Sequence, residues 1–158
     1  MMKKLIYFAA LLSALASCIP AAGAEELAGD IKTPHLIHSS GHPTGALTPV
    51  HHFELQIAGG ALSQLSIEFP EGLSLREGIA VADDRSGQTI DATVSVTGRK
   101  HTISFSRPVP SGTVLSISLN GIKTSDYLGR TWLYPISGRL VGMRADIPFG
   151  TGRIQTYN

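Results

Sequence analysis

Ile103-Ser104-Phe105-Ser106-Arg107-Pro108-Val109-Pro110-Ser111-Gly112-Thr113, followed by Leu115-Ser116-Ile117-Ser118-Leu119, is the stretch that decides the fold. Ile103 and Phe105 alternate with polar residues, as do Leu115, Ile117 and Leu119, and successive side chains on a strand point to opposite faces. Between the two runs, Pro108 to Gly112 supplies the fixed φ and the permissive glycine that a turn needs. The stretch therefore reads as strand, turn, strand.

The same pattern extends outward in both directions. Phe53/Leu55/Ile57, Leu65/Ile67/Phe69, Ile79/Val81, Val94/Val96 and Trp132/Tyr134/Ile136 all recur with period two. Turn-forming residues separate them: Ala58-Gly59-Gly60, Pro70-Glu71-Gly72, Asp84-Arg85-Ser86-Gly87, Thr97-Gly98-Arg99 and Asn120-Gly121. No segment of helix length keeps a 3.6 period beyond the N-terminal run, and a short helix at Leu73 to Glu77 leaves the class unchanged. The expectation is an all-β domain, an immunoglobulin-like antiparallel β-sandwich, with a Greek-key barrel as the alternative.

Residues 1–24 have the layout of a secretory signal. Lys3 and Lys4 form the positive end, Leu5 to Ala16 the apolar run, and Ala22-Gly23-Ala24 a small-residue cleavage site that leaves Glu25 first. The run is shorter than the roughly 20 residues a membrane span requires, so the mature chain carries no transmembrane segment by this reading. Leu15-Ala16-Ser17-Cys18 offers a second processing route, because it has the form of a lipobox and would make Cys18 a lipid anchor. By either route the single cysteine provides no disulfide to the domain. The expected location is the periplasm, the cell envelope or the medium, and the near-balanced charge gives no reason to expect nucleic acid.

Residues 25–50 differ from the β domain at 51–158. They are rich in Pro, Gly, Ser and His and read as an irregular lead-in with one edge strand around Leu36-Ile37. Five of the six histidines, His35, His38, His42, His51 and His52, fall at or beside this lead-in, and imidazole is the commonest metal ligand, so a Cu or Zn site is the candidate cofactor chemistry. The spacing argues both ways: no pair stands at i and i+2 and the adjacent His51 and His52 point to opposite strand faces, whereas a short helix capped by Thr33 with Pro34 first would set His35, His38 and His42 along one side.

The segment Ile103 to Thr113, with Gly129 to Ile136 and the ending Gly152-Arg153-Ile154-Gln155-Thr156-Tyr157, resembles a family of small exported cyanobacterial proteins grouped as a domain of unknown function. The resemblance implies export and a β fold, and it brings no catalytic residue. In architecture alone, the chain also resembles periplasmic copper carriers, which are small β-sandwiches with histidine near the mature N-terminus.

No catalytic constellation is expected. The chain has no Gly-x-Ser-x-Gly elbow and no His-Glu-x-x-His pair, and Asp83-Asp84 reads as a solvated turn rather than a calcium loop. Gly150-Thr151-Gly152-Arg153 is too short for a phosphate cradle. The remaining candidates are Tyr127, Arg130, Arg139, Arg144 and Arg153, since rings and guanidinium forks suit sugar faces, carboxylates and partner proteins. Trp132 is placed in the core. The functional expectation is an exported, non-enzymatic envelope or extracellular module that binds an envelope protein or polysaccharide, with metal binding or delivery through His35 to His52 as the alternative.

Overall fold

The computed structural model describes residues 32–42, 49–124 and 130–156, with only the backbone of His42. Two antiparallel sheets face each other, so the fold is an immunoglobulin-like β-sandwich and not a closed barrel. The strands are β1 (His35–His42), β2 (Val50–Gln56), β3 (Leu62–Glu68), β4 (Leu73–Asp83), β5 (Ala92–Thr97), β6 (Lys100–Val109), β7 (Val114–Thr124), β8 (Thr131–Leu140) and β9 (Ile147–Gln155). One sheet runs β1-β2-β7-β4 and the other β5-β6-β3-β8-β9. The signal segment, Cys18 and Tyr127 lie outside the described residues.

The period-two pattern becomes the core. Phe53, Leu55 and Ile57 of β2 and Leu115, Ile117 and Leu119 of β7 meet Leu65, Ile67, Ile103, Trp132, Tyr134 and Ile136 from the opposite sheet, all buried. At the centre, the Tyr134 ring meets Phe53 and Phe69 edge to face, with centroids 5.1 and 5.6 Å away, an arrangement the ring quadrupoles favour. Trp132 is 2% exposed and donates its indole N–H to Thr156 Oγ1 at 3.1 Å, which satisfies its one polar atom. The core reading of this residue therefore holds.

The Pro108 to Thr113 segment is a corner between the two sheets. Gly112 N–H donates to Ile57 C=O at 2.7 Å and Ile57 N–H donates to Thr113 C=O at 2.9 Å, so the corner is tied to the end of β2. Asp83 and Asp84 form the solvated turn expected of them: Asp83 Oδ1 accepts from the N–H groups of Arg85 and Ser86.

Three local expectations are corrected and a fourth, the edge strand, is extended. Leu73 to Glu77 is the start of β4, not a helix, because Leu73, Ser74 and Leu75 pair with Thr124, Lys123 and Ile122 of β7. Asn120-Gly121 is not a turn; β7 continues through it to Thr124. There the partner strand shifts register between Leu75 and Gly78, and Gly121 takes φ of 70°, a left-handed value that lets the ladder bulge without ending. Val94 and Val96 keep the alternation yet stand 38% and 58% exposed, because β5 is an edge strand that the opposite sheet leaves uncovered. The edge strand expected around Leu36-Ile37 runs from His35 to His42 and pairs with β2 along its length, so this part of the lead-in is a strand of the sandwich.

Candidate functional site: the seam between β1 and β9

A sandwich of two open sheets has two lateral seams, and the Ser39 side chain bridges the one between β1 and β9. Ser39 Oγ donates to Arg153 C=O at 3.0 Å and accepts from Arg153 N–H at 3.2 Å, so one hydroxyl satisfies both backbone groups of a residue in the other sheet. Close approach here depends on Gly41, since a Cβ at that position would lie 2.8 Å from Ile154 Cγ2. Alongside this contact runs an open groove of about 460 Å³, lined by Ser39, Ser40, Gly41, Arg153, Ile154 and Gln155.

Arg153 gives the groove its charge. Among the described residues its guanidinium makes no ion pair, and on the outer face it stands directly across from Leu133, which is 51% exposed. The other arginines named from the sequence scatter. Arg139 is bound to Asp146 at 2.8 and 3.0 Å, and Lys100 reaches the same carboxylate at 3.2 Å. Desolvation pushes the Asp146 carboxyl up, but hydrogen bonds from Lys100 and Arg139 outweigh it and hold the group below its ordinary value. Arg130 lies over the Trp132 ring at 5.9 Å, and Arg144 is exposed in the turn between β8 and β9. Gly150 to Arg153 is simply part of strand β9.

The histidines do not form one cluster. His51 points into the core, 1% exposed, where its Nδ1 shares a 2.6 Å hydrogen bond with the Tyr134 hydroxyl. Desolvation lowers its pKa to about 4 and raises that of Tyr134, so both stay neutral near pH 7. His52 faces outward, with Nδ1 3.3 Å from Ser118 Oγ and Nε2 3.5 Å from Glu54 Oε1. His38 is the register partner of Glu54 on the neighbouring strand and is exposed. His35 Nδ1 is 3.2 Å from Thr33 C=O, and the His42 side chain lies outside the described residues. Among the described residues, no three His, Cys, Asp or Glu side chains converge as metal ligands would. His101, apart from this group, is stacked on Phe69 with centroids 3.8 Å apart.

Of the groove residues, the sequence reading names Arg153 as a candidate and does not so name Ser39, Ser40 or Gln155. Ser39 and Arg153 meet across 114 positions of sequence, and no local pattern announces such a contact.

No family model and no curated protein sequence matches the chain. Among solved structures, the chain is similar to BcpA, the major pilin subunit of Bacillus cereus, with 9% identity and a TM-score of 0.51 over 78% of this chain and 40% of that one. It is also similar to the collagen-binding subdomain of the Enterococcus faecalis surface protein ACE, with 14% identity and a TM-score of 0.49 over 77% and 95%. A third similar structure is the collagen-binding domain of a Staphylococcus aureus adhesin, with 10% identity and a TM-score of 0.45 over 79% and 97%. At these identities the likeness is one of fold.

Proposed function

We propose that the protein is an exported, non-enzymatic surface module whose β1–β9 groove holds a segment of an acidic polysaccharide. The observation that carries this reading is an open groove lined by Ser39, Ser40, Gln155 and Arg153, an arginine with no ion pair among the described residues. A guanidinium fork matches a carboxylate bidentately, a hydroxyl such as that of Ser40 matches a sugar hydroxyl, and an open trough admits a polymer in mid-chain. The groove lining offers no base to activate either serine, and His51, the histidine with the large pKa shift, is occupied by Tyr134 in the core. That absence of a paired nucleophile and base supports a binding role over hydrolysis. Metal delivery would require converging imidazoles, whereas His51 faces the core and His38 and His52 face outward.

The test is retention on immobilised uronate-containing and neutral polysaccharides. The parent protein is expected to prefer the acidic polymer, with weaker binding at higher salt, and Arg153→Ala to bind it about tenfold less tightly, the loss of one charge-assisted hydrogen bond. Equal retention on both polymers, or an unchanged affinity in the variant, would overturn the reading. Selective capture of an acidic peptide instead would also overturn the choice of polysaccharide.

A further inference from the structure

Open sheets expose unpaired backbone groups at their edges, and proteins commonly blunt such edges with charges, prolines or bulges. Among the described residues, three of the four edges follow that rule. β1 has a register shift between Leu36 and His38, and Ser39 ties it to β9. β4 carries Arg76 and Glu77 at its own register shift, and β9 contains Pro148 and Arg153. β5 has none of these devices: Ala92-Thr93-Val94-Ser95-Val96-Thr97 pairs with β6 in unbroken register and carries no charge and no proline.

The direction of its free groups follows from the ladder. Asp91 C=O accepts from Ser106 N–H at 3.1 Å, and Ala92 is the register partner of Phe105. In an antiparallel pair the residues alternate, so Thr93, Ser95 and Thr97 direct their N–H and C=O at β6, while Ala92, Val94 and Val96 direct theirs at the open side. Val94 is the register partner of the buried Ile103, and so lies on the core-facing side of the sheet with Val96, where both remain exposed.

The sequence of this edge also reads the same in both directions, Thr-Val-Ser-Val-Thr from 93 to 97. We propose that β5 pairs antiparallel with β5 of a second copy about a two-fold axis at Ser95, joining the two five-stranded sheets into one. In that register Val94 meets Val96 and Thr93 meets Thr97, so apolar residues meet apolar ones on one face and hydroxyls meet hydroxyls on the other. The hydrogen-bonding parity is also met, because Val94 and Val96 are the residues with outward N–H and C=O. Charge complementarity fixes the ends: Asp91 of each copy comes to the Gly98-Arg99 turn of the other. Arg99 is exposed there and is held at 3.2 Å to Glu68, leaving further donors on its fork. Such an interface is isologous and closes at two copies.

Sedimentation equilibrium of the exported protein tests this. The interface is small, so the average mass should rise from monomer near about 1 μM toward dimer near about 1 mM. Ser95 is exposed, and Ser95→Lys and Ser95→Glu should each fold with the parent's melting temperature and each remain monomeric, because like charges would face each other across the axis. An equimolar mixture of the two should recover a dimer. A parent that stays monomeric, single variants that dimerise like the parent, or a mixture that stays monomeric would each overturn the proposal.

Discussion

Trp132→Ala is expected to lower the folding free energy by about 3–5 kcal/mol, the range for emptying a large aromatic site whose surroundings collapse only in part. The ring is 2% exposed, lies in the same core cluster as Tyr134 and Ile154, and anchors the C-terminal end of β9 through the Thr156 hydroxyl. Its chain neighbour provides the internal control. Leu133 faces outward and is 51% exposed, so Leu133→Ala should change stability by no more than about 0.5 kcal/mol. Urea melts of the two variants measure the difference; equal, small losses would mean that the face assignment of β8 is wrong.

Acid should begin to destabilise the protein above the range in which carboxylates titrate. His51 has a folded pKa of about 4 against an ordinary value of 6.5, so between these values the unfolded chain binds the proton and the native state does not. Stability therefore rises with pH across this window and is lost on the way down, by about 3 kcal/mol in total from this one residue. His101, lowered by desolvation against the pull of the Arg99 carbonyl, acts in the same direction. Asp146 acts at lower pH, because a carboxyl held below its ordinary value contributes stability that is lost as pH falls through its folded pKa. Chemical denaturation at pH 7, 5.5 and 4.5 should show the fall, and His51→Leu should flatten most of it. The same variant should be about 1–3 kcal/mol less stable at pH 7, since it leaves the Tyr134 hydroxyl without its partner. A profile that keeps the parent's slope in His51→Leu would show that another group carries the acid sensitivity.

The fold was legible because alternation and turn chemistry are local properties. Phe53, Leu55 and Ile57 announce a buried face within five residues of chain, and all three are fully buried. What failed was also physical. Val94 and Val96 carry the same alternation as Leu115 and Ile117, yet position within a sheet decides whether the inward face is covered, and sheet order is not a local property. Asn120-Gly121 has the composition of a hairpin turn, but pairing with β4 on one side and the Ile122 N–H to Pro49 C=O bond on the other hold β7 through it, with the glycine at the bulge.

The candidate site was legible only in part. Arg153 stood out as a cation in an aromatic and basic C-terminal stretch, but nothing marked Ser39 as its partner, because the contact forms only when the first and last strands meet at a seam. The histidines were also legible only in part. The rule that adjacent strand residues point to opposite faces correctly separated His51 from His52, and it was burial beside Tyr134, invisible in the sequence, that removed His51 from the surface.

The proposed function places the ligand at the β1–β9 seam. Backbone amide shift mapping by NMR, during titration of the labelled protein with a uronate oligosaccharide, addresses it most directly. Perturbations are expected to concentrate at Ser39 to Gly41 and Arg153 to Gln155, with β4 and β5 unchanged. Perturbations centred on any other face, or none at saturating oligosaccharide, would contradict it.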